Sequence, residues 1–208
     1  MNYKIALIRG DGIGPEIVNE TVKVIDKVGE RFGHTFEYVD VMLGGCATDA
    51  VGKSYPDGTA ETCKSCDAVL LGAVGGPKWG SDKPAEQRPE TALLAIRKDL
   101  GLYANLRPAA LRPALAEACP LKKETAEQGI DLLMVRELTG GIYFGKRDKY
   151  QTEDRGLEAT DLMAYSEKEI ERIGRRAFEM ARLRRRKVSS VDKANVLETS
   201  RLWRSVMH

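Results

Sequence analysis

Apolar positions along the chain fall into short runs that alternate with longer stretches of helical spacing. Residues 4–9 (KIALIR) form an apolar run that stops at glycine, the pattern of a buried strand. GDGIG at 10–14 then turns the chain, and Pro15 stands where a first helical residue belongs, because its missing N–H costs nothing there. Val18, Val22, Ile25 and Val28 follow at helical spacing, residues 35–41 alternate as a second strand, and residues 59–66 read as a helix. Residues 68–74 (AVLLGAV) predict a third buried strand. Strand, helix, strand, helix, strand requires crossover connections, so the pattern predicts an α/β fold with a parallel sheet covered on both faces.

Residues 75–89 (GGPKWGSDKPAEQRP) are rich in glycine and proline and predict a long loop, a length that usually serves function. Helical spacing returns over 90–100. Past Tyr103 the texture changes: residues 131–135 read as a strand, Gly140, Gly141, Tyr143 and Phe144 suggest a hairpin or arm, and residues 157–165 alternate. These changes place a boundary near Gly101, dividing 1–101 from 102–208. Ser166 and Glu169 form a capping box that opens a helix with Ile170, Ile173, Ala177 and Ala181 on one face. A last strand is expected over 187–191, and a helical pattern (Leu197, Ser200, Trp203, Met207) begins after Val196.

Composition narrows the function classes. The 208 residues hold 33 basic and 31 acidic side chains, a net charge of +2, and 42% are hydrophobic. That balance suits a soluble globular protein and argues against a dedicated binder of nucleic acid or membrane surfaces. The longest uncharged apolar stretch, 68–76, falls far short of the ~20 residues that span a bilayer. The N-terminus meets charge and glycine too early for a signal-peptide core, so a cytoplasmic protein with reduced thiols is expected. With only His34 and His208, a histidine-rich metal site and a Ser-His-Asp triad are excluded. Cys63 and Cys66 have the spacing of a redox pair or half a zinc site, but no second pair supplies the remaining ligands. Two thiols on the last turn of a helix is the preferred reading.

Several residue groups could carry chemistry. In GDGIGP (10–15), proline stands where the dinucleotide fingerprint needs its third glycine, so a turn that lets a ligand approach the backbone is expected rather than a pyrophosphate loop. In RPETALLAIR (88–97), Glu90, Leu93, Leu94 and Arg97 fall at i, i+3, i+4 and i+7, one face of a helix. Two leucines between a carboxylate and a guanidinium suit a small ligand with an anionic group and an alkyl branch, or simply a core face with charged ends. Arg107 and Arg136 each close an apolar strand-like run, where they could converge on carboxylates or pair with neighbouring acids. Tyr143 and Lys193 are the candidate proton carriers, a phenol being a poor base but a sound acid toward an enolate carbon. The basic run at 182–187 reads as a nucleic-acid patch or, better, as a solvated helix terminus whose cations meet the negative end of the macrodipole.

Six blocks occur in order: GDGIGPEI (10–17), LLGAVGGPKW (70–79), RPETALLAIRK (88–98), YANLRP (103–108), VRELTGGIYFG (135–145) and SVDKANVLE (190–198). Together they closely resemble the 3-isopropylmalate dehydrogenases, which stand with isocitrate and tartrate dehydrogenases among the β-decarboxylating dehydrogenases. The resemblance implies a two-domain fold of parallel and mixed sheets flanked by helices. Residues 1–101 would be the start of the cofactor-binding domain and 102–208 a central substrate and dimerisation domain. It further implies NAD, Mg²⁺ or Mn²⁺, a small dicarboxylate substrate, a role in leucine biosynthesis, and a homodimer whose active site takes its lysine from the partner subunit.

By motif, Arg97, Arg107 and Arg136 would hold substrate carboxylates, while Glu90, Leu93, Leu94 and Val196 would surround the isopropyl branch and the nicotinamide. Gly76, Pro77, Lys78 and Trp79, with Ile13 and Glu90, would contact the cofactor. Lys193 resembles the base that takes the hydroxyl proton, and Tyr143 the acid that protonates the enolate. Isocitrate enzymes are expected to carry small polar groups in place of Leu93 and Leu94. The resemblance also implies that the metal-binding aspartates and the adenosine-gripping loop lie beyond residue 208, so that the fold is incomplete at the C-terminus, no metal ligand is named, and these residues alone are inactive. The alternatives are an isocitrate or tartrate dehydrogenase, or a non-catalytic anion-binding remnant.

Overall fold

The computed structural model describes residues 1–208, which divide into two compact units, Met1–Gly101 and Leu102–His208. The first unit contains β1 (Asn2–Gly10), α1 (Gly14–Phe32), β2 (Thr35–Asp40), α2 (Gly45–Val51), α3 (Thr59–Lys64), β3 (Ala68–Ala73) and α4 (Pro89–Asp99). Its strands form a parallel sheet in the order β2-β1-β3, with Ile5 in register with Tyr38 and Leu7 with Leu70. As the central strand, β1 is buried on both sides, and its residues divide by parity. Ile5 and Leu7 pack with Val18, Val22 and Ile25 of α1, whereas Ala6 and Ile8 pack with Leu43, Cys63, Ala92 and Ile96. Fully burying Leu7 or Ile8 contributes about 1.5–3 kcal/mol each.

The turn after β1 is shaped by the neighbouring strand. Gly10 has φ 74°, and a Cβ placed there would lie 1.9 Å from the Ala73 carbonyl oxygen. Gly10 thus admits protein backbone, while at Gly12, with φ 55°, a Cβ would meet nothing within 4 Å, so the turn is open there. The 75–89 loop contains two turns of 3-10 helix, Pro77–Trp79 and Ala85–Gln87. It is fastened by Ser54, whose N–H and hydroxyl both donate to the Glu86 carbonyl at 2.7 and 2.9 Å. Thr48 Oγ1 donates to the Gln87 carbonyl at 3.0 Å.

The second unit contains β4 (Ala104–Ala110), α5 (Lys123–Glu127), β5 (Asp131–Glu137), β6 (Arg147–Thr152), β7 (Gly156–Asp161), α6 (Glu167–Arg182) and α7 (Glu198–Met207). β4 pairs antiparallel with β5, and β6 with β7, so the hairpin follows Tyr143 and Phe144. The capping box is present: Glu169 N–H donates to Ser166 Oγ at 3.4 Å, and Ser166 N–H to Glu169 Oε2 at 2.8 Å. Ile170 and Ile173 are buried. Residues 187–191 form no strand, contrary to the sequence pattern. A ladder needs a partner, these residues have none, and Val191 is 88% exposed. The basic run also extends past the helix: α6 ends at Arg182, and Arg184 and Arg185 both pair with Asp131. No helix is long and apolar enough to cross a membrane.

Candidate active site

In the first unit the parallel strands place the turn after β1 and the loop after β3 at the same end of the sheet, the carboxyl ends, where ligands bind open α/β sheets. Asp11 organises this end. Its buried carboxylate accepts the Gly45 N–H at 2.7 Å and the Gly75 N–H at 2.8 Å on Oδ2, and the Cys46 N–H at 2.6 Å on Oδ1. One side chain thus caps α2 and fixes the first residue of the loop. It also satisfies amides at a helix N-terminus that an outside anion would otherwise attract.

The expected cofactor residues Gly76, Pro77, Lys78 and Trp79 are held down by α2. Lys78 Nζ and Trp79 Nε1 donate to Asp49 at 2.7 and 3.2 Å, and the Lys78 ammonium lies 5.3 Å from the Trp79 ring centroid. The Lys78 hydrogen bond holds the Asp49 carboxyl below the usual carboxylate range. Trp79 lies so close over Gly45 that a Cβ there would fall 2.3 Å from the ring. Ile13 is 60% exposed just ahead of α1. Glu90 opens α4, with Oε1 3.2 Å from the position of a Cβ on Gly75. The glycine backbone at 75 and the Glu90 carboxylate therefore stand together at this end of the sheet.

Of the two readings of the α4 face, the core face with charged ends is corrected. Its core side is Pro89, Ala92 and Ile96, whereas Glu90 is exposed and Leu93, Leu94 and Arg97 are half-buried. The face that spacing grouped is therefore not the core face, and Leu94 and Arg97 lie on the rim of the helix with Leu93 leaning on the core.

In the second unit, Arg107 sits mid-strand in β4, not at its end, opposite Met134; Asn105 is opposite Arg136. Directly opposed residues share a face, so Arg107 and Arg136 are diagonal neighbours on one side of the β4–β5 pair. Arg107 Nε donates to Asn105 Oδ1 at 2.6 Å. The Arg136 guanidinium lies 5.2 Å from the Tyr143 ring centroid. Two cations and a half-exposed phenol therefore meet on one exposed face, where neither arginine pairs with a carboxylate among the ion pairs.

Glu137, the next residue along, points to the opposite face. It is buried, pairs with Arg172 of α6, and accepts the Gly140 N–H at 2.7 Å, which sets the turn that carries Tyr143. Lys193 and Val196 are exposed on a loop folded back on α7. Arg204 Nε and Nη2 grip Asp192 at 3.0 and 2.8 Å, and that hydrogen bonding, ahead of the Ala194 N–H, holds the Asp192 carboxyl low. Lys193 N–H donates to Ser200 Oγ at 3.0 Å, and Arg201 Nε to the Ala194 carbonyl at 3.0 Å.

A family model described as isocitrate/isopropylmalate dehydrogenase matches residues 4–208. The chain belongs to the isocitrate/isopropylmalate dehydrogenase family. It is 56% identical over 207 residues to the 3-isopropylmalate dehydrogenase of Nitratidesulfovibrio vulgaris, covering 100% of this chain and 58% of that protein. It is 59% identical over 206 residues to the same-named protein of Moorella thermoacetica, covering 99% and 57%. Among solved structures it is similar to isocitrate dehydrogenase from Methylococcus capsulatus, at 31% identity with a TM-score of 0.76, covering 99% of this chain and 56% of that one. The chain thus spans less than two thirds of the length of these relatives.

Within this dehydrogenase family chain, no group of three or more His, Cys, Asp or Glu side chains is disposed to hold a metal ion, so a divalent cation finds no ligand cage among these residues. Cys63 lies in the core with its thiol pushed up by burial, the opposite of an activated redox thiol. Asp11, Asp49, Glu137, Asp192 and Arg204 were not singled out from the sequence. For Asp192 and Arg204 the signal is weak, an acid and a base twelve positions apart; for Asp11 it lies in the GDG turn itself, as the carboxylate between the two glycines.

Proposed function

We propose that this chain supplies substrate-binding, cofactor-contacting and proton-transfer residues of an NAD-dependent dehydrogenase that converts 3-isopropylmalate to 4-methyl-2-oxopentanoate and carbon dioxide, a step of leucine biosynthesis. The observation that carries the reading is the β4–β5 face, where Arg107 and Arg136 stand diagonally and Arg136 covers the Tyr143 ring. Guanidinium pairs take carboxylates in bidentate geometry, and a phenol beside them is placed to deliver a proton to a carbon next to a carboxylate. The high identity to proteins named 3-isopropylmalate dehydrogenase supports it.

In this reading Arg107, Arg136 and Arg97 hold the carboxylates, and Leu93, Leu94 and Val196 enclose the isopropyl branch. Ile13, Gly76, Pro77, Lys78, Trp79 and Glu90 meet the cofactor. NAD, when bound, supplies the hydride acceptor. Lys193 takes the hydroxyl proton as the C–H electrons leave, and the ketone that forms draws the electrons of the breaking carboxyl bond into an enolate. Tyr143 then gives its phenolic proton to the enolate carbon. The divalent cation is outside what these residues hold. We place the chain in the cytoplasm as part of a homodimer with a shared active site, its first unit serving the cofactor and its second the substrate and the dimer contact. The Asp131 clamp on Arg184 and Arg185 supports reading the basic run without a nucleic-acid partner.

A second reading, an isocitrate or tartrate dehydrogenase, is disfavoured by Leu93 and Leu94, since hydroxylated or carboxylated branches would desolvate against them. Calorimetric titration with 3-isopropylmalate, isocitrate and tartrate tests the choice. Preferential binding of isopropylmalate is expected; equal or tighter binding of isocitrate would overturn the assignment.

A further inference from the structure

The two candidate proton carriers sit on separate pieces of the second unit, and the side chains between them form a continuous chain of contacts. The Tyr143 turn begins at Gly140 and Gly141, and the Tyr165 ring lies across both. A Cβ on Gly141 would fall 2.3 Å from Tyr165 Oη, and one on Gly140 3.2 Å from Tyr165 Cδ1. Gly141 also donates its N–H to the Ala164 carbonyl at 2.9 Å. On its other side Tyr165 meets Trp203 of α7 edge to face, with ring centroids 5.7 Å apart at 76°. Trp203 Nε1 donates to Ser190 Oγ at 3.1 Å, and the next residue, Arg204, grips Asp192. Asp192 in turn accepts the Ala194 N–H at 3.0 Å, which closes the loop around Lys193.

We infer that Tyr165 and Trp203 are positioning residues that lock the Tyr143 turn and the Lys193 loop into one rigid arrangement. Its consequence for catalysis rests on the reading of Tyr143 and Lys193 given above; the mechanical coupling does not. Each partner is needed for a physical reason. Gly141 has φ 76°, and the turn, held from one side by the Glu137 bond to the Gly140 N–H and by the Ala164 bond to Gly141, is pressed from the other by the Tyr165 ring, which only glycines at 140 and 141 admit. The Ser190 loop forms no strand, so its order comes from side-chain ties to α7, of which the Trp203 indole is one. The edge-to-face contact contributes about 0.5–1.5 kcal/mol, so displacing either ring costs that contact and couples the two sides by that much.

Amide hydrogen exchange on the full chain tests the coupling in both directions. Tyr165→Leu is expected to speed exchange at Lys193 and Ala194, and Trp203→Leu to speed it at Gly140 and Gly141, each by roughly two- to tenfold, the range an aromatic pair contributes. Tyr165→Phe keeps the ring and should leave Lys193 and Ala194 as in the wild type. Exchange within the β4–β5 ladder, in the same unit, serves as the folding control. Effects confined to the mutated side, or equal loss in Tyr165→Phe and Tyr165→Leu, would overturn the inference. If wild-type protein reduces NAD with isopropylmalate, Trp203→Leu should lower kcat roughly ten- to hundredfold with KM nearly unchanged. Failure of the wild-type chain to bind isopropylmalate in calorimetry would count against the proposed function, while the exchange result would still decide the coupling.

Discussion

Replacing Asp11 by alanine removes the acceptor for three main-chain N–H groups at once, those of Gly45, Cys46 and Gly75. Hydrogen bonds to a charged acceptor contribute about 1.5–3 kcal/mol each, and donors left buried without a partner cost their desolvation as well. The three losses are not additive, because water can enter the vacated space. A destabilisation of about 3–5 kcal/mol is therefore expected for Asp11→Ala. Asp11→Asn should cost less. Gly45 and Gly75 share Oδ2, so an amide oxygen can serve both, while its NH₂ group is turned against the Cys46 N–H. One lost bond and one donor–donor contact amount to about 1–3 kcal/mol. Urea unfolding followed by far-UV circular dichroism gives the magnitudes, and amide exchange at Gly45, Cys46 and Gly75 locates them. If Asp11→Ala unfolds within about 0.5 kcal/mol of wild type, or Gly75 exchange stays unchanged, the carboxylate does not organise this end of the sheet.

Gly10→Ala should prevent the first unit from folding, since the added Cβ meets the Ala73 carbonyl at 1.9 Å and neither backbone can give way; a native-like melting curve would contradict this. Leu93→Ser or Leu94→Ser should weaken the preference for isopropylmalate over isocitrate by about 1–3 kcal/mol per lost alkyl contact, read from calorimetric affinities, and an unchanged ratio would remove these residues from the pocket. The Asp192 carboxyl is held below its ordinary 3.8 by Arg204, so its tie on the Lys193 loop is present above that pH and is lost as the pH falls from 3.8 through the lower folded value. Trp203 fluorescence in a Trp79→Phe background should show that acid transition, and Asp192→Asn should abolish it; an identical transition in both would refute the assignment.

How much was legible in the sequence followed from how local each signal is. β1, β3 and α1 announce themselves through apolar runs, a turn of glycines and a proline at the first helical turn, and the Ser166–Glu169 box needs only four residues. α2 (GCATDAV) is too short and small-sided to show apolar periodicity, and its cap, Asp11, lies 34 residues earlier, so no local signal marks it. The apolar content of 187–191 suggested a strand, but no neighbouring strand exists to complete it. On α4, spacing correctly grouped Glu90, Leu93, Leu94 and Arg97 but could not say which face meets the sheet; that is decided by the small Ala92 and by Ile96 fitting against β1. The closeness of Arg136 to Tyr143 depends on the β4–β5 register and on a turn pinned by buried Glu137, neither of which spacing encodes.

The most direct test is a crystal structure of the protein with 3-isopropylmalate. The substrate's carboxylate oxygens are expected about 2.7–2.9 Å from the Arg107 and Arg136 guanidinium nitrogens, with the Tyr143 hydroxyl directed at the carbon that loses carbon dioxide. Isopropylmalate bound elsewhere, with those two guanidinium groups still turned to Asn105 and the Tyr143 ring, would contradict the account.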